Sequence, residues 1–310
     1  MKLRRGQPQE NENDDRADGA AAKVPPSPKP GMPRISFKTP PQLTDWPSLR
    51  DVWLEADDIP VYAAGWLFDH FYPIQGEVQG PCLEGWTTLT ALAALTKRLR
   101  LGVMVTGNTY RHPAVLSKMA ATLDVVSGGR LEIGLGAGWN QVEADAYGLP
   151  MPALTERFDR LNEACEVIDS LLTQPATTYV GKHYALYDAR CEPKPLQRPR
   201  PPIVIGGGGE RRTIPIAARW ADHWNLSGGD VELFRRKLEV LHRCCHEIGR
   251  DPASIEVSVQ LAAGEPSKLA QTAATFTEAG AQHIVVVMRP PFARADLEPI
   301  ADALSQSVGQ

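Results

Sequence analysis

The stretch Thr106–Trp139, TGNTYRHPAVLSKMAATLDVVSGGRLEIGLGAGW, decides the fold. Ala114 to Val126 has helical apolar spacing and ends at Ser127-Gly128-Gly129, where glycine can take the left-handed geometry of a helix C-cap. Arg100 to Val105, rich in Leu and Val, reads as the strand before this helix, and Leu131 to Leu135 as the strand after it. The residues beyond each strand are not loop filler. Thr106-Gly107-Asn108-Thr109-Tyr110-Arg111-His112-Pro113 follows the first and Gly134-Leu135-Gly136-Ala137-Gly138-Trp139-Asn140 spans the end of the second.

Working outward, the same alternation repeats. Upstream come strands at Ile35–Lys38 and Val61–Phe68 and helices at Pro47–Asp57 and Thr87–Lys97. Downstream, a long helix at Thr155–Leu172 precedes strands at Pro202–Ile205, His223–Leu226, Ile255–Leu261 and His283–Met288. Helices at Glu210–Trp220, Val231–Ile248, Ser267–Ala279 and Asp296–Ser305 follow those strands in turn. Gln174 to Pro202 carries five prolines beyond Pro175 and reads as an insertion loop. Eight alternations predict an α/β protein, a single-domain (β/α)8 TIM barrel at residues 34–310, rather than an open doubly wound sheet. Residues 1–33, polar and then rich in proline, cannot bury enough surface to offset their ordering entropy and read as a disordered tail.

Composition narrows the function. The chain has 310 residues, a net charge of −4, 43% hydrophobic and 23% charged residues, as in an ordinary soluble globular protein. A mildly acidic balance gives no general field for polyphosphate backbones, which argues against nucleic acid and for a small-molecule substrate. Five scattered cysteines, odd in number and without a Cys-x-x-Cys pair, suit reduced thiols in a cytoplasm. There is no stretch of roughly 20 apolar residues to cross a membrane. The partners expected are therefore a small molecule and, at most, a second copy in a homodimer.

Four clusters fall where a barrel places its active site, after the strands. Gly206-Gly207-Gly208-Gly209, between an apolar strand and a helix, lets the backbone approach an anion at the helix N-terminus, with Arg211 or Arg212 adding charge. The plainer reading is a tight turn, although four glycines exceed what a turn needs. Gly134-x-Gly136-x-Gly138 departs from a dinucleotide fingerprint, because its third glycine comes one residue early and a helix stands where the acidic strand end should be. It either permits close barrel packing or brings the backbone and Asn140 to a flat ring, with Trp139 as a wall. Asp69-His70 offers a proton-transfer imidazole with a carboxylate to orient it, or a structural histidine. His112, ahead of Pro113, reads as a loop or capping residue. His242 and His246 share a helix face as some zinc ligands do, but without a third ligand nearby in sequence, so no metal is assigned.

From Ile35 to about Met288 the chain resembles the bacterial luciferase-like superfamily. Thr106–Trp139, Asp69-His70 and IVIGGGGERR resemble its branch of probable oxidoreductases using the deazaflavin coenzyme F420. The resemblance implies a barrel with a flavin or deazaflavin at its C-terminal face. It implies His70 near the ring, Val105 and Thr106 behind it, Gly136, Ala137, Gly138 and Asn140 along its edge, and Gly206 to Gly209 on the phosphate. It also implies a non-prolyl cis peptide somewhere between Val103 and Thr106. Ala137 stands where some deazaflavin dehydrogenases have glutamate, and the insertion after the fourth strand is short for the family. The expectation is an F420-dependent hydride transfer with His70 as proton donor or acceptor, oriented by Asp69. The alternatives are an FMN-dependent monooxygenase using oxygen and a non-catalytic flavin- or deazaflavin-binding protein.

Overall fold

Helical and strand periods become elements along residues 32–307, which a computed structural model of the chain describes. The tail read at 1–33 lies outside the described residues up to position 31, as do positions 308–310. The first half runs β1 (Arg34–Lys38), α1 (Trp46–Asp58), β2 (Tyr62–Leu67), α2 (Gly85–Leu95), β3 (Arg100–Val103), β4 (Thr106–Gly107), α3 (Pro113–Val126) and β5 (Leu131–Gly136). Then come α4 (Gln141–Tyr147), α5 (Leu154–Thr173), β6 (Thr177–Val180), β7 (Ala185–Ala189), β8 (Ile203–Gly206) and α6 (Thr213–Trp220). The last part is β9 (His223–Leu226), α7 (Val231–Glu247), β10 (Glu256–Ala262), α8 (Pro266–Glu278), β11 (His283–Val287) and α9 (Leu297–Ser307).

The main sheet runs β3-β2-β1-β11-β10-β9-β8-β5-β4, and β3 also pairs with β5, so it closes on itself. Its pairs are parallel. β3 and β4 are halves of one stave, which gives the eight-stave barrel expected. The strand read as Arg100–Val105 stops at Val103 and resumes as β4 at Thr106, with a cis peptide at Met104–Val105 between the two. A hairpin and a short helix add to the elements expected. The insertion loop holds the antiparallel hairpin of β6 and β7. α4, only seven residues long, is capped by Asn140 and closed by Gly148 at φ +63°. It is too short for a 3.6-residue apolar period to emerge.

Strand alternation sorts the side chains. Ile35 and Phe37 of β1, with Val257 and Val259 of β10, join the apolar layer shared with the helices. The alternate positions meet inside the barrel: Arg34, Ser36, Glu132, His223, Ser258 and His283 share hydrogen bonds or ion pairs there. Only a small apolar group, including Ala64, Trp66, Met104, Val204 and Val285, packs among them. Barrel interiors are more often filled by bulky branched residues. Here Arg34 bridges Glu256 at 2.6 Å and Glu132 at 3.1 Å, and Arg100 reaches Glu132 at 2.6 Å. Burial opposes charge on Glu132, but the two guanidiniums and His223 hold it well below the usual carboxylate range.

At the opposite end from the site, arginines close helix C-termini. Arg130 donates to Ala93, Thr96, Leu99 and Ser127 carbonyls and to the Thr96 hydroxyl. A cation near exposed carbonyls also complements the helix dipole. Gly128 and Gly129, at φ +70° and +85°, turn the chain into that arginine.

On the site side, two glycines make room for Val105 and a third for the Val103 carbonyl. A Cβ on Gly136 would lie 2.7 Å from Val105 Cγ2, and one on Gly206 2.8 Å from Val105 Cγ1. A Cβ on Gly134 would lie 1.9 Å from the Val103 carbonyl oxygen. We predict that Gly134→Ala costs about 3 kcal/mol, because the clash is with backbone. Gly264→Ala, whose Cβ would have nothing within 4 Å, should stay within about 0.5 kcal/mol of the parent. Urea denaturation of both variants checks the contrast, and equal stabilities would refute it. Arg130→Met should lose about 3 kcal/mol by leaving buried carbonyls unpaired, read as a lower denaturation midpoint at unchanged slope.

Candidate active site

The C-terminal ends of the staves surround a cavity of about 580 Å³, within the range of small-molecule sites. Val105, Gly136, Ala137, Gly138, Gly206, Gly207, Asp69 and His70 line it. Phe68, at the end of β2, and Trp139, after β5, meet the His70 ring edge-on at 5.0 and 5.4 Å. Tyr110, from the loop after β4, stands 6.4 Å away.

The carboxylate on His70 belongs to Glu143, not Asp69. His70 Nδ1 lies 2.7 Å from Glu143 Oε2, and the Tyr110 hydroxyl donates to the same oxygen at 2.6 Å. The amides of Phe71 and Tyr72 donate to Oε1 at 2.5 and 2.9 Å. Burial disfavours the charge on Glu143, but the bonds from His70, Tyr110 and the Tyr72 amide prevail and hold its pKa at about 2. An ionised Glu143 accepts Nδ1–H and leaves Nε2 as the imidazole nitrogen without a partner among the described residues. That nitrogen can take up a proton or, once protonated, give one up.

Asp69 is committed elsewhere. Arg111 grips it with two bonds of 2.5 and 3.1 Å and also reaches Glu84, which caps α2. Burial raises the Asp69 carboxyl although Arg111 works in the other direction. Its role is to fasten the loop after β4 to the end of β2. Although adjacent in sequence, Asp69 and His70 thus turn to different partners.

Other assignments also shift. Thr106 is buried behind the wall, accepting from Trp86 Nε1 at 2.8 Å. Asn140 caps α4, accepting from the Glu143 amide at 3.4 Å, so it positions Glu143 rather than lining the cavity. Of the four-glycine run, Gly206 and Gly207 reach the cavity with Thr213, Ser227 and Gly228. Gly208 instead abuts Leu226 and Gly209 abuts Thr213. Arg211 is exposed and off the cavity wall, and Arg212 pairs with Asp159 on α5. That corner of the cavity is therefore lined by backbone and hydroxyls, without Arg211 or Arg212. His112 caps α3 through Nδ1. His242 and His246 are exposed on α7. A grouping of possible metal ligands among the described residues, His223, Glu256 and His283, lies inside the barrel, where Arg34 already occupies Glu256.

Sequence reading missed Glu143, Lys38 and Gln260. Lys38, the last residue of β1, faces the cavity with Nζ 2.7 Å from the Met104 carbonyl oxygen and 3.1 Å from Gln260 Oε1. Burial brings its pKa down to about 8. The signal was present in RISFK, EVSVQLA and HWNL, where polar residues alternate in strands that a parallel barrel buries on both faces.

An uncharacterised protein of Mycobacterium tuberculosis is 33% identical over 193 residues, spanning 62% of this chain and 66% of that protein. An F420-dependent glucose-6-phosphate dehydrogenase of Microbacterium testaceum is 37% identical over 175 residues, spanning 56% of this chain and 50% of that enzyme. These matches thus span less than two thirds of each relative's length. The solved structure of an F420-dependent secondary alcohol dehydrogenase with an F420-acetone adduct superposes with a TM-score of 0.81 at 17% identity, covering 89% of this chain and 99% of that one. At that identity the likeness speaks to the fold. Residues 49–299 match luciferase-like monooxygenases over most of the chain, and the protein belongs to that family.

Proposed function

We propose that this chain is an F420-dependent oxidoreductase that exchanges a hydride with a small organic substrate. The observation that carries this reading is the His70–Glu143 pair at the wall of a cavity that Gly206, Gly207 and Thr213 also line. His70 Nδ1 is engaged by Glu143 and Nε2 is free for the ligand. Relatives that are F420-dependent glucose-6-phosphate dehydrogenases support this cofactor over FMN. The family's monooxygenase name is the ground for the FMN rival.

The residues present fit a planar ring with a phosphate tail. Gly228, at φ +83°, has nothing within 4 Å of a built Cβ, so the backbone there leaves open space. Gly208 and Gly209 keep amides without partners among the described residues, just ahead of α6, whose positive end favours an anion. Gly206, Gly207, Thr213 and Ser227 would hold the phosphate, and Val105 would stand behind the ring. When bound, F420 supplies a ring carbon that accepts or gives the hydride. His70 Nε2 takes or returns the accompanying substrate proton, and Glu143 stabilises the imidazolium while holding its ring plane. Phe68 and Trp139 keep water from the imidazole.

Titrating the purified protein with F420 and with FMN tests the cofactor directly. Fluorescence should report F420 binding; retention of FMN alone, with oxygen consumption, would overturn the reading. With F420 bound, His70→Ala should lower turnover by about 10²- to 10⁴-fold while cofactor affinity holds, and unchanged turnover would remove His70 from the chemistry. Glu143 also carries a stability prediction. Its folded pKa of about 2 lies below the ordinary value of 4.5. Its contribution is therefore full above the ordinary value and is lost as pH falls from there through the folded value. Thermal melts between these two pH values should fall less steeply for Glu143→Gln than for the parent.

A further inference from the structure

Lys38 is a cation without a counter-charge at the floor of the cavity. Among the described residues no carboxylate lies within ion-pair reach of its Nζ, while every acid near it is engaged. Asp69 is held by Arg111, Glu143 by His70 and Tyr110, and Glu132 and Glu256 by Arg34. Arg289 adds a second positive group at the cavity rim. His283, below the floor, is held down to about 4 by burial and Arg34, and stays neutral.

The ammonium is fixed in place rather than loose. Two of its three N–H groups go to the Met104 carbonyl and to Gln260. Gln260 donates to Asn225 at 2.6 Å, Asn225 to Ser258 at 2.8 Å, and Ser258 lies 2.6 Å from His223 Nε2. This chain of bonds runs from the cavity floor into the polar barrel interior. It fixes the amide orientations, so that Gln260 turns its oxygen, not its nitrogen, toward Lys38. Two amides in series make it a poor proton relay, which leaves orientation as its function. The third N–H of Lys38 has no partner among the described residues and remains for the cavity.

We propose that Lys38 is the counter-ion of this cavity and that its ammonium binds the ionised form of the ligand's heterocyclic ring in preference to the neutral form. The proposal rests on the cofactor reading above. A buried charge without a partner is costly, and an anionic oxygen or ring nitrogen beside it recovers much of that cost. With a pKa of about 8, Lys38 is mostly charged at neutral pH, and an anion beside it would raise that value further. By the same coupling the ammonium lowers the ring's own ionisation pKa.

The full chain and its Lys38→Met and Lys38→Arg variants are titrated with F420 and, separately, with FMN. Ring ionisation is followed by absorbance from about pH 5 to about pH 9. In the parent, the bound ring should ionise about one unit lower than the free ring, equal to ~10-fold tighter binding of its anion. Lys38→Met should return the ring to its free value and weaken the anion ~10-fold, with less than ~3-fold loss for the neutral form. Lys38→Arg should keep the shift. Identical ring titrations in parent and Lys38→Met, or equal weakening at every pH, would overturn the proposal and leave Lys38 a prop for the Met104 carbonyl. Where Lys38→Met does not fold, the parent decides alone, because a bound ring ionising at or above its free value also overturns it. A parent that binds neither ring overturns the cofactor reading and this proposal together; ring binding without a shift overturns this proposal alone.

Discussion

Val105 occupies a space that only glycine leaves, and the site is arranged around that fit. Its two methyl groups lie where Cβ atoms on Gly136 and Gly206 would be, and the Val103 carbonyl lies where one on Gly134 would be. Those glycines come from β5, which flanks the interrupted stave, and from β8, the next strand beyond it. The seat brings β3, β4, β5 and β8 together at one end of the barrel and turns the Met104 carbonyl toward Lys38. Glycines that resemble a ligand loop in sequence thus act first on the protein's own backbone, and only through it on a ligand.

Charge is organised in two layers along the barrel axis. Below the floor, Arg34, Arg100, Glu132 and Glu256 compensate one another. Breaking such a buried set strands a charge, which costs far more than the intact set contributes. At the cavity the balance is different. Acids are paired by Arg111, His70 and Tyr110, whereas Lys38 has only neutral acceptors. Lys38 is thus a local positive centre in a protein whose net charge is −4, a distinction that composition cannot reveal.

Much of the site could be located in the sequence but not wired. His70, Val105, Ala137 and Gly207 stand at the cavity because strand ends in a parallel barrel converge there. The carboxylate for His70 was misread for a local reason. Asp69 is adjacent in sequence, yet it turns to Arg111. Glu143 lies 73 residues from His70 on a seven-residue helix with no readable apolar period. Arg211 failed in the opposite sense: it follows the glycines in sequence, but its side chain is exposed and off the cavity wall.

The sequence by itself determined the alternation of strands and helices, the parallel barrel and the end at which the site lies. Those follow from periodicity and turn chemistry, which act over a few residues. Only the tertiary structure decided the partners: Glu143 for His70, Arg111 for Asp69, and the Met104 carbonyl with Gln260 for Lys38. These pairs are 42 to 222 residues apart and meet because the sheet closes. Their strength comes from burial and hydrogen-bond geometry, which no local pattern encodes.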